Sequence, residues 1–193
     1  MKLDQRLNLV IPLERDDGST LFVHSAPIAR ATFEAHYKVL AAAHAQIFHG
    51  LSGLRSSPRV AGLIIRDVAR EMKREEATEQ GLLAEIRRLT NVVIPTTDGN
   101  TILPLETAIA RGTLDDDETS EVDGYTAFFT VMSAMESRKK CNTALEYMGM
   151  FWGTQTSSSN VTAFAASLRT STAAESSGET APTPPAAVSR IPY

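Results

Sequence analysis

The chain has 193 residues, of which 42% are hydrophobic and 22% are charged, and its formal net charge is -4. This composition is typical of one globular domain that builds its core without metals or crosslinks. Because the charge balance leaves no basic excess for phosphate groups, we do not expect nucleic acid as the main partner. The single cysteine excludes an intramolecular disulfide, and the absence of a long apolar run argues against a secretory signal and a membrane-spanning helix. We therefore expect a soluble protein of the cytoplasm.

The N-terminal residues predict a β-hairpin. Apolar and polar residues alternate from Leu7 to Glu14, with Val10 as the exception, which is typical of a half-buried strand. Asp17-Gly18 favours a turn, and Thr20 to Val23 supplies a second strand. Because Pro12 lacks an amide hydrogen, we expect the first strand to lie at a sheet edge or to contain a bulge.

Three amphipathic helices are predicted next. Ser25 is the expected N-cap of the first helix, which runs to about Phe48. Ser57-Pro58 begins the second helix, and the third extends from about Thr78 to Thr90. The predicted buried stripe of the second helix comprises Val60, Leu63, Ile64, Val68 and Met72.

A second short hairpin is predicted over residues 91–104, with a proline near each end. A short helix from Glu106 to Arg111 follows it. The acidic run from Asp115 to Glu118 then favours the N-terminus of a further helix. We expect a break near Lys139-Lys140 and a last amphipathic helix from Thr143 to Trp152.

The composition changes after Gly153. Residues 154–160 are nearly all Ser, Thr, Gln or Asn, Val161 to Leu168 predicts a short apolar helix, and residues 169–193 carry too little apolar surface to offset the entropy of ordering them. The predicted fold is α+β, mainly α. It comprises an amphipathic helix bundle with an N-terminal β-hairpin and a second short hairpin in a single domain over 1–168, followed by a disordered tail over 169–193.

The chemically reactive residues form no recognisable catalytic or metal-binding pattern. The candidate metal ligands are His24, His36, His44 and His49. A five-residue step places the last two roughly 140° apart around a helix, so they do not converge. Asp115 to Glu118 lacks the spacing of a calcium loop. Cys141 lies beside Lys139 and Lys140, which would lower the pKa of a reactive thiol, but a packed structural cysteine is favoured. We therefore expect no enzyme activity, cofactor or metal.

Two segments suit contact with a protein partner. Tyr147 to Trp152 concentrates Met and aromatic side chains, which either close the core or anchor a partner. Val161 to Leu168 forms a small amphipathic turn with little of its own to pack on, as in a segment that folds on binding or a frayed terminus. The candidate partner-binding residues are Phe128, Phe129, Tyr147, Met150, Phe151, Trp152, Phe164 and Leu168.

Five stretches between Leu9 and Thr172 resemble tail proteins of long-tailed bacteriophages and prophages, and within that group the tail assembly chaperones. These stretches are residues 9–18 (LVIPLERDDG), 24–28 (HSAPI), 81–91 (GLLAEIRRLTN), 152–156 (WGTQT) and 164–168 (FAASL). They are short recurring residue patterns and contain no catalytic motif.

The resemblance implies a binding function without catalysis. Chaperones of this kind coat the long helical tape measure protein, keep it soluble in the host cytoplasm, and recruit major tail subunits while the tail tube polymerises. Our hypothesis is that the groove for the partner includes Tyr147, Met150, Phe151 and Trp152, with Phe128 and Phe129 in support.

The alternative is a permanent component of the virion tail, such as a neck, tail-completion or tube-associated protein. Its C-terminal arm would become ordered against neighbouring subunits. Both interpretations leave open whether the chain forms a homo-oligomer.

Overall fold

A five-stranded antiparallel sheet packs against a group of helices in the computed structural model, which describes residues 7–49, 57–97 and 99–168. This arrangement is the predicted α+β, mainly α fold, whereas the predicted tail over 169–193 lies outside the described residues. The strands are β1 (Asn8–Glu14), β2 (Thr20–Ser25), β3 (Thr90–Thr96), β4 (Gly99–Pro104) and β5 (Gln155–Ser157). The helices are α1 (Arg30–His49), α2 (Ser57–Glu71), α3 (Glu75–Ala77), α4 (Ala84–Arg88), α5 (Leu105–Ala110), α6 (Asp116–Met135), α7 (Arg138–Trp152) and α8 (Val161–Ser167), with a π-helical segment at Thr78–Leu83 between α3 and α4.

Both predicted hairpins are present, and they share one sheet in the order β4-β3-β2-β1-β5. β2 and β3 join them, and the buried hydroxyl groups of Ser25 and Thr90 lie 2.9 Å apart across this pair. β1 lies between β2 and β5 and is therefore not an edge strand, although Pro12 favoured a sheet edge or a bulge. However, β5 pairs only with Asn8 to Val10, so Pro12 lies beyond the last β1–β5 pair, where β1 is open on that side. The lack of an amide hydrogen is accommodated at this local edge.

The predicted start of the first helix is wrong. Ser25 is the last residue of β2 and pairs with Thr90, so it cannot cap a helix, and α1 begins at Arg30. The strand extends further than its β-prone residues indicated because β3 supplies a partner on its second side.

The second helix begins at Ser57 as predicted, but its buried stripe is rotated. The side chains that it buries are Ala61, Ile65, Val68 and Ala69. Val60, Leu63 and Met72, predicted to be buried, are exposed. Small residues on the buried face let a neighbouring helix approach closely. The packing gained by this close approach outweighs the burial that the larger apolar side chains on the other face would provide.

α2 and α6 come into close backbone contact at Gly124. A Cβ atom at this position would lie 2.6 Å from the carbonyl oxygen of Arg59 and 2.7 Å from that of Pro58. Only glycine therefore fits at this crossing. One residue earlier, Asp123 accepts hydrogen bonds from the Nε and Nη2 atoms of Arg87, at 3.1 and 2.5 Å, which ties α4 to the same part of α6.

Three further elements differ from the predicted ones. The helix expected over 78–90 is composite, with a π-helical segment at Thr78–Leu83 before α4. The break between the last long helices falls at Glu136 and Ser137, which are extended, and not at Lys139-Lys140. The polar stretch 154–160 contains β5, which pairs with β1 although it has no apolar alternation.

Both faces of the sheet are covered. The inner face packs against the helices through Leu9, Ile11, Leu13, Leu21, Val23 and Val92. The outer face carries Val10, Phe22, His24 and Val93, which alternate with those residues, and α8 packs on β3 and β4 on this side. Val10 is buried there. Val10 breaks the apolar–polar alternation of β1 because its position on the outer face is also covered.

We predict that Gly124→Ala lowers the free energy of unfolding by roughly 2–3 kcal/mol, because the new methyl group meets backbone oxygens that cannot rotate away. Urea unfolding followed by circular dichroism measures the change. Gly62→Ala in α2 is the matched control, since its Cβ would lie 3.7 Å from the nearest atoms, an ordinary contact distance. Equal stability of the two variants would contradict the packing described.

We also predict that stability falls as the pH drops from about 7.5 to 5. Burial lowers the pKa of His24 and of His36, and the nearby Arg74 guanidinium lowers the pKa of His36 further. The unfolded chain therefore binds more protons, so stability is full above the ordinary histidine pKa of about 6.5 and decreases as the pH falls towards the folded-state values. Urea unfolding across this range tests the prediction. His36→Gln should flatten the profile, and an unchanged slope would show that His36 does not contribute.

Candidate functional site

The C-terminal half of α7 exposes an apolar surface. One face of α7 is buried through Cys141, Ala144, Leu145 and Met148. On the other side Tyr147, Met150 and Phe151 are 44%, 70% and 49% exposed. Their spacing of three and four residues places them together on one helical face. We call these three residues the α7 patch.

The end of α7 is fixed by two glycines. Gly153 has a φ angle of +68° and its amide donates to the carbonyl oxygen of Gly149, which closes the last turn. A Cβ atom on Gly149 would lie 2.8 Å from the carbonyl oxygen of Thr154, so the chain doubles back against its own helix there. This turn leads into β5 and holds the α7 patch beside the edge of the sheet.

Trp152 closes the core, which was one of the two interpretations of its segment. It is half-buried, packs against the core cluster, and its ring centroid lies 6.3 Å from that of Tyr125 on α6. The Phe151 ring centroid lies 5.9 Å from that of Trp152. Trp152 therefore anchors the end of α7 and contacts the α7 patch through Phe151.

Two of the predicted partner-binding residues lie in the core. Phe128 and Phe129 on α6 are both 0% exposed. They cannot contact a partner directly, so the prediction that they support a binding surface is wrong. The prediction failed because α6 is buried on nearly all sides between Val122 and Met132, so its periodicity does not distinguish an inner from an outer face.

The remaining two predicted residues, Phe164 and Leu168, are half-buried at the C-terminal end of the described chain. The Phe164 ring packs edge-on against Phe22, with centroids 5.8 Å apart, and lies 5.7 Å from the His24 ring. The segment thus packs on its own sheet, contrary to the expectation that it has little to pack on. The structure separates the predicted residues into the α7 patch, the core and the outer face of the sheet.

The N-terminal end of α7 is cationic. Arg138, Lys139 and Lys140 are exposed there, and the Lys140 ammonium lies 3.4 Å from the carboxylate of Glu136. Glu136 also lies 3.0 Å from the Nε2 atom of His44. The exposed side of α7 therefore carries basic residues at its beginning, polar residues and Glu146 in its middle, and the α7 patch at its end.

Cys141 is a packed structural residue. Its side chain is buried, and burial raises the pKa of the thiol, with a further rise from the negative charge of Glu136. A reactive thiolate requires a lowered pKa, so Lys139 and Lys140 do not activate this cysteine.

The acidic run serves as the beginning of α6. Asp115 accepts a hydrogen bond from the amide of Glu118, whose side chain accepts one from the amide of Asp115, forming a capping box. Arg15 donates from Nε and Nη2 to the two oxygens of Glu118, both at 2.9 Å, and lowers the pKa of that carboxyl. The run thereby fastens the first hairpin turn to α6.

No group of three His, Cys, Asp or Glu side chains within 7–49, 57–97 and 99–168 is placed to hold a metal ion. His24 faces a backbone carbonyl and His44 faces Glu136. The same residues include no helix that is both long and apolar enough to cross a membrane.

Comparison with protein-family models, with curated proteins and with solved structures finds no match to this chain. The functional argument therefore depends on the chemistry of the exposed surfaces. Besides the α7 patch, the large exposed apolar side chains of the described residues are Tyr37, Phe48, Val60, Leu63 and Met72. Periodicity predicted that Val60, Leu63 and Met72 lie on the buried face of their helix.

We predict that Met150→Lys changes the free energy of unfolding by less than about 0.5 kcal/mol, since the side chain is exposed. Trp152→Ala should lower it by roughly 2 kcal/mol, less than for a fully buried aromatic residue. Chemical unfolding of both variants measures the difference. A Met150→Lys variant as unstable as Trp152→Ala would place the α7 patch in the core.

Proposed function

We propose that this chain is a non-enzymatic tail assembly chaperone of a long-tailed bacteriophage. In this proposal it binds the tape measure protein in the host cytoplasm and recruits the major tail subunits during tail assembly. The resemblance of its sequence to such chaperones suggests the partner, and the α7 patch supplies a surface with suitable chemistry.

The exposure of Met150 between Tyr147 and Phe151 is the observation that carries this proposal. A thioether flanked by two aromatic rings adapts to apolar ridges of varied shape, as partner-binding surfaces require. The rigid end of α7 reduces the entropy lost on binding, because Gly153 and Trp152 already fix its position. The patch is thus preorganised and exposed at the same time.

A long amphipathic helix is a partner that fits this surface. The apolar face of such a helix is exposed to water before assembly. This face would pack on the α7 patch along the axis of α7. The basic residues Arg138, Lys139 and Lys140 at the other end of α7 favour a partner helix with acidic residues at the corresponding end. The contact would then set both the position and the direction of the bound helix.

The alternative of a permanent virion component rests on an arm that orders only on assembly. Within the described residues, β5 pairs with β1 and α8 packs on β3 and β4, so neither element by itself supports such an arm. The α7 patch is therefore a more specific argument for the chaperone proposal than any described feature is for the alternative.

Co-expression with the tape measure protein of the same genome tests the proposal. We expect the chain to keep the tape measure protein soluble and to co-elute with it in size-exclusion chromatography. Met150→Lys should reduce the captured amount at least about tenfold, because a charge is placed in the apolar contact. Leu63→Lys, which alters a 60% exposed residue on α2, is the matched control and should behave as the unmodified chain.

A soluble chain that leaves the tape measure protein aggregated would contradict the chaperone proposal. Finding the chain at fixed stoichiometry in purified virions would instead favour the permanent component. Equal losses for Met150→Lys and Leu63→Lys would show that the α7 patch is not the binding surface.

A further inference from the structure

α8 depends on the sheet for its structure. It contains seven residues, Val161–Ser167, whereas isolated helices below about 12 residues are marginal in water. Asn160 caps its first turn by accepting a hydrogen bond from the amide of Ala163 at 2.9 Å. This cap stabilises the helix only modestly, so contact with the outer face of the sheet provides most of what holds α8 in place.

The outer face of the sheet forms an apolar seat for this helix. Val10, Phe22 and Val93 lie next to one another there, because Val10 pairs with His24 and Phe22 pairs with Val93 across the strands. Phe164 packs edge-on against Phe22 and also contacts the His24 ring. The seat therefore takes one aromatic side chain at its centre.

Polar side chains clamp the backbone at both ends of α8. The Nδ2 atom of Asn8 and the Nε2 atom of His24 donate to the carbonyl oxygen of Ser159, at 2.8 and 3.0 Å. At the other end, Nδ2 of Asn100 donates to the carbonyl oxygen of Ala165 at 2.6 Å. These hydrogen bonds are made to backbone carbonyl groups just before the helix and in its last turn. They therefore favour a helix of two turns and place little restriction on its side chains.

α8 does not satisfy every group of this seat. The Oδ1 atom of Asn100 is buried and has no hydrogen-bond partner in the described part of the chain. A buried acceptor without a donor costs free energy. A helix that brings an N–H donor to this end would fit the seat better than α8 does.

α8 can also leave without disturbing the sheet. β5 stays paired with β1 up to Ser157, and the connection to α8 consists of the exposed residues Ser158 and Ser159 and the cap Asn160. The inner face of the sheet belongs to the core cluster that also includes residues of α1, α2 and α6, and no residue of α8 is part of this cluster. Detachment of α8 would therefore expose a formed groove.

We propose that the outer face of the sheet is a docking groove for a two-turn amphipathic helix of a partner protein, and that α8 occupies this groove until the partner helix displaces it. The partner helix carries an aromatic side chain in the place of Phe164 and an N–H donor near Asn100. This groove is separate from the α7 patch and does not depend on the proposed chaperone function.

A second copy of the chain is a poorer occupant than a partner protein. Its α8 would leave the same Oδ1 atom of Asn100 unpaired and would gain no new contact. It would also compete with a tethered helix whose effective concentration is on the order of millimolar. A different helix with the missing donor has an advantage that a second α8 lacks.

Uptake of a labelled peptide by the full-length chain tests the groove. The probe is a fluorescent peptide with the sequence of residues 158–168, and its binding is followed by fluorescence anisotropy. Phe164→Ala in the protein weakens the resident helix, so this variant should bind the peptide roughly tenfold more tightly than the unmodified chain does. Thr162→Ala, which alters an exposed residue of the same helix, is the matched control and should match the unmodified chain.

Two further arms show where the peptide binds. A peptide carrying Phe164→Ala should not bind to either protein. Adding Asn100→Ala to the Phe164→Ala protein should weaken peptide binding about fivefold, since one clamp to the helix backbone is lost. Circular dichroism should show an intact fold for each variant, because the substitutions lie outside the inner core.

Equal peptide binding by the Phe164→Ala, Thr162→Ala and unmodified chains would overturn the proposal, as would no binding to the Phe164→Ala chain. Concentration-dependent dimers of the unmodified chain that disappear with Phe164→Ala would assign the groove to a second copy and also overturn the proposal as stated.

Discussion

The contact of Gly124 with the backbone of Pro58 and Arg59 sets the distance between α2 and α6, and the other layers follow from it. α6 also packs against α1 and β1, so its position determines where the sheet meets the helices. The close approach leaves Phe128 and Phe129 fully buried, which removes them from any surface. It also turns the larger apolar side chains of α2 outward, because Ala61 and Ala69 occupy the inner side. The end of α7 is then fixed against α6 through the contact between Trp152 and Tyr125.

Two surfaces of different character result from this arrangement. The α7 patch is exposed on a helix end that is already held in place, so it is accessible to a partner in this structure. The outer face of the sheet is apolar but covered by α8, which is too short to be stable alone. A partner can contact an exposed surface directly, whereas contact with a covered groove requires displacement of α8.

The sequence predicts the fold class and both hairpins because alternation and the Asp-Gly turn are local signals, as the φ angle of +80° at Gly18 shows. The beginning of α6 was also predictable, since Asp115 and Glu118 form a capping box within four residues. The buried face of α2 was not predictable, because it depends on the contact with Gly124, more than fifty residues away in the chain. β5 was not predicted for a similar reason, since only its pairing with β1 makes it a strand. Of the candidate site, Tyr147, Met150 and Phe151 were identified from composition, whereas the burial of Phe128 and Phe129 needed the tertiary structure.

Site-specific photocrosslinking from position 150 tests the central claim, that the α7 patch contacts the tape measure protein, most directly. A photoreactive phenylalanine analogue replaces Met150 in one variant and Leu63 in another, both at exposed positions. Each variant is irradiated in cells that also produce the tape measure protein. We predict a crosslink to the tape measure protein from position 150 and none from position 63. A crosslink from position 63 alone, or none from either position while the complex still forms, would contradict the assignment of the α7 patch as the contact surface.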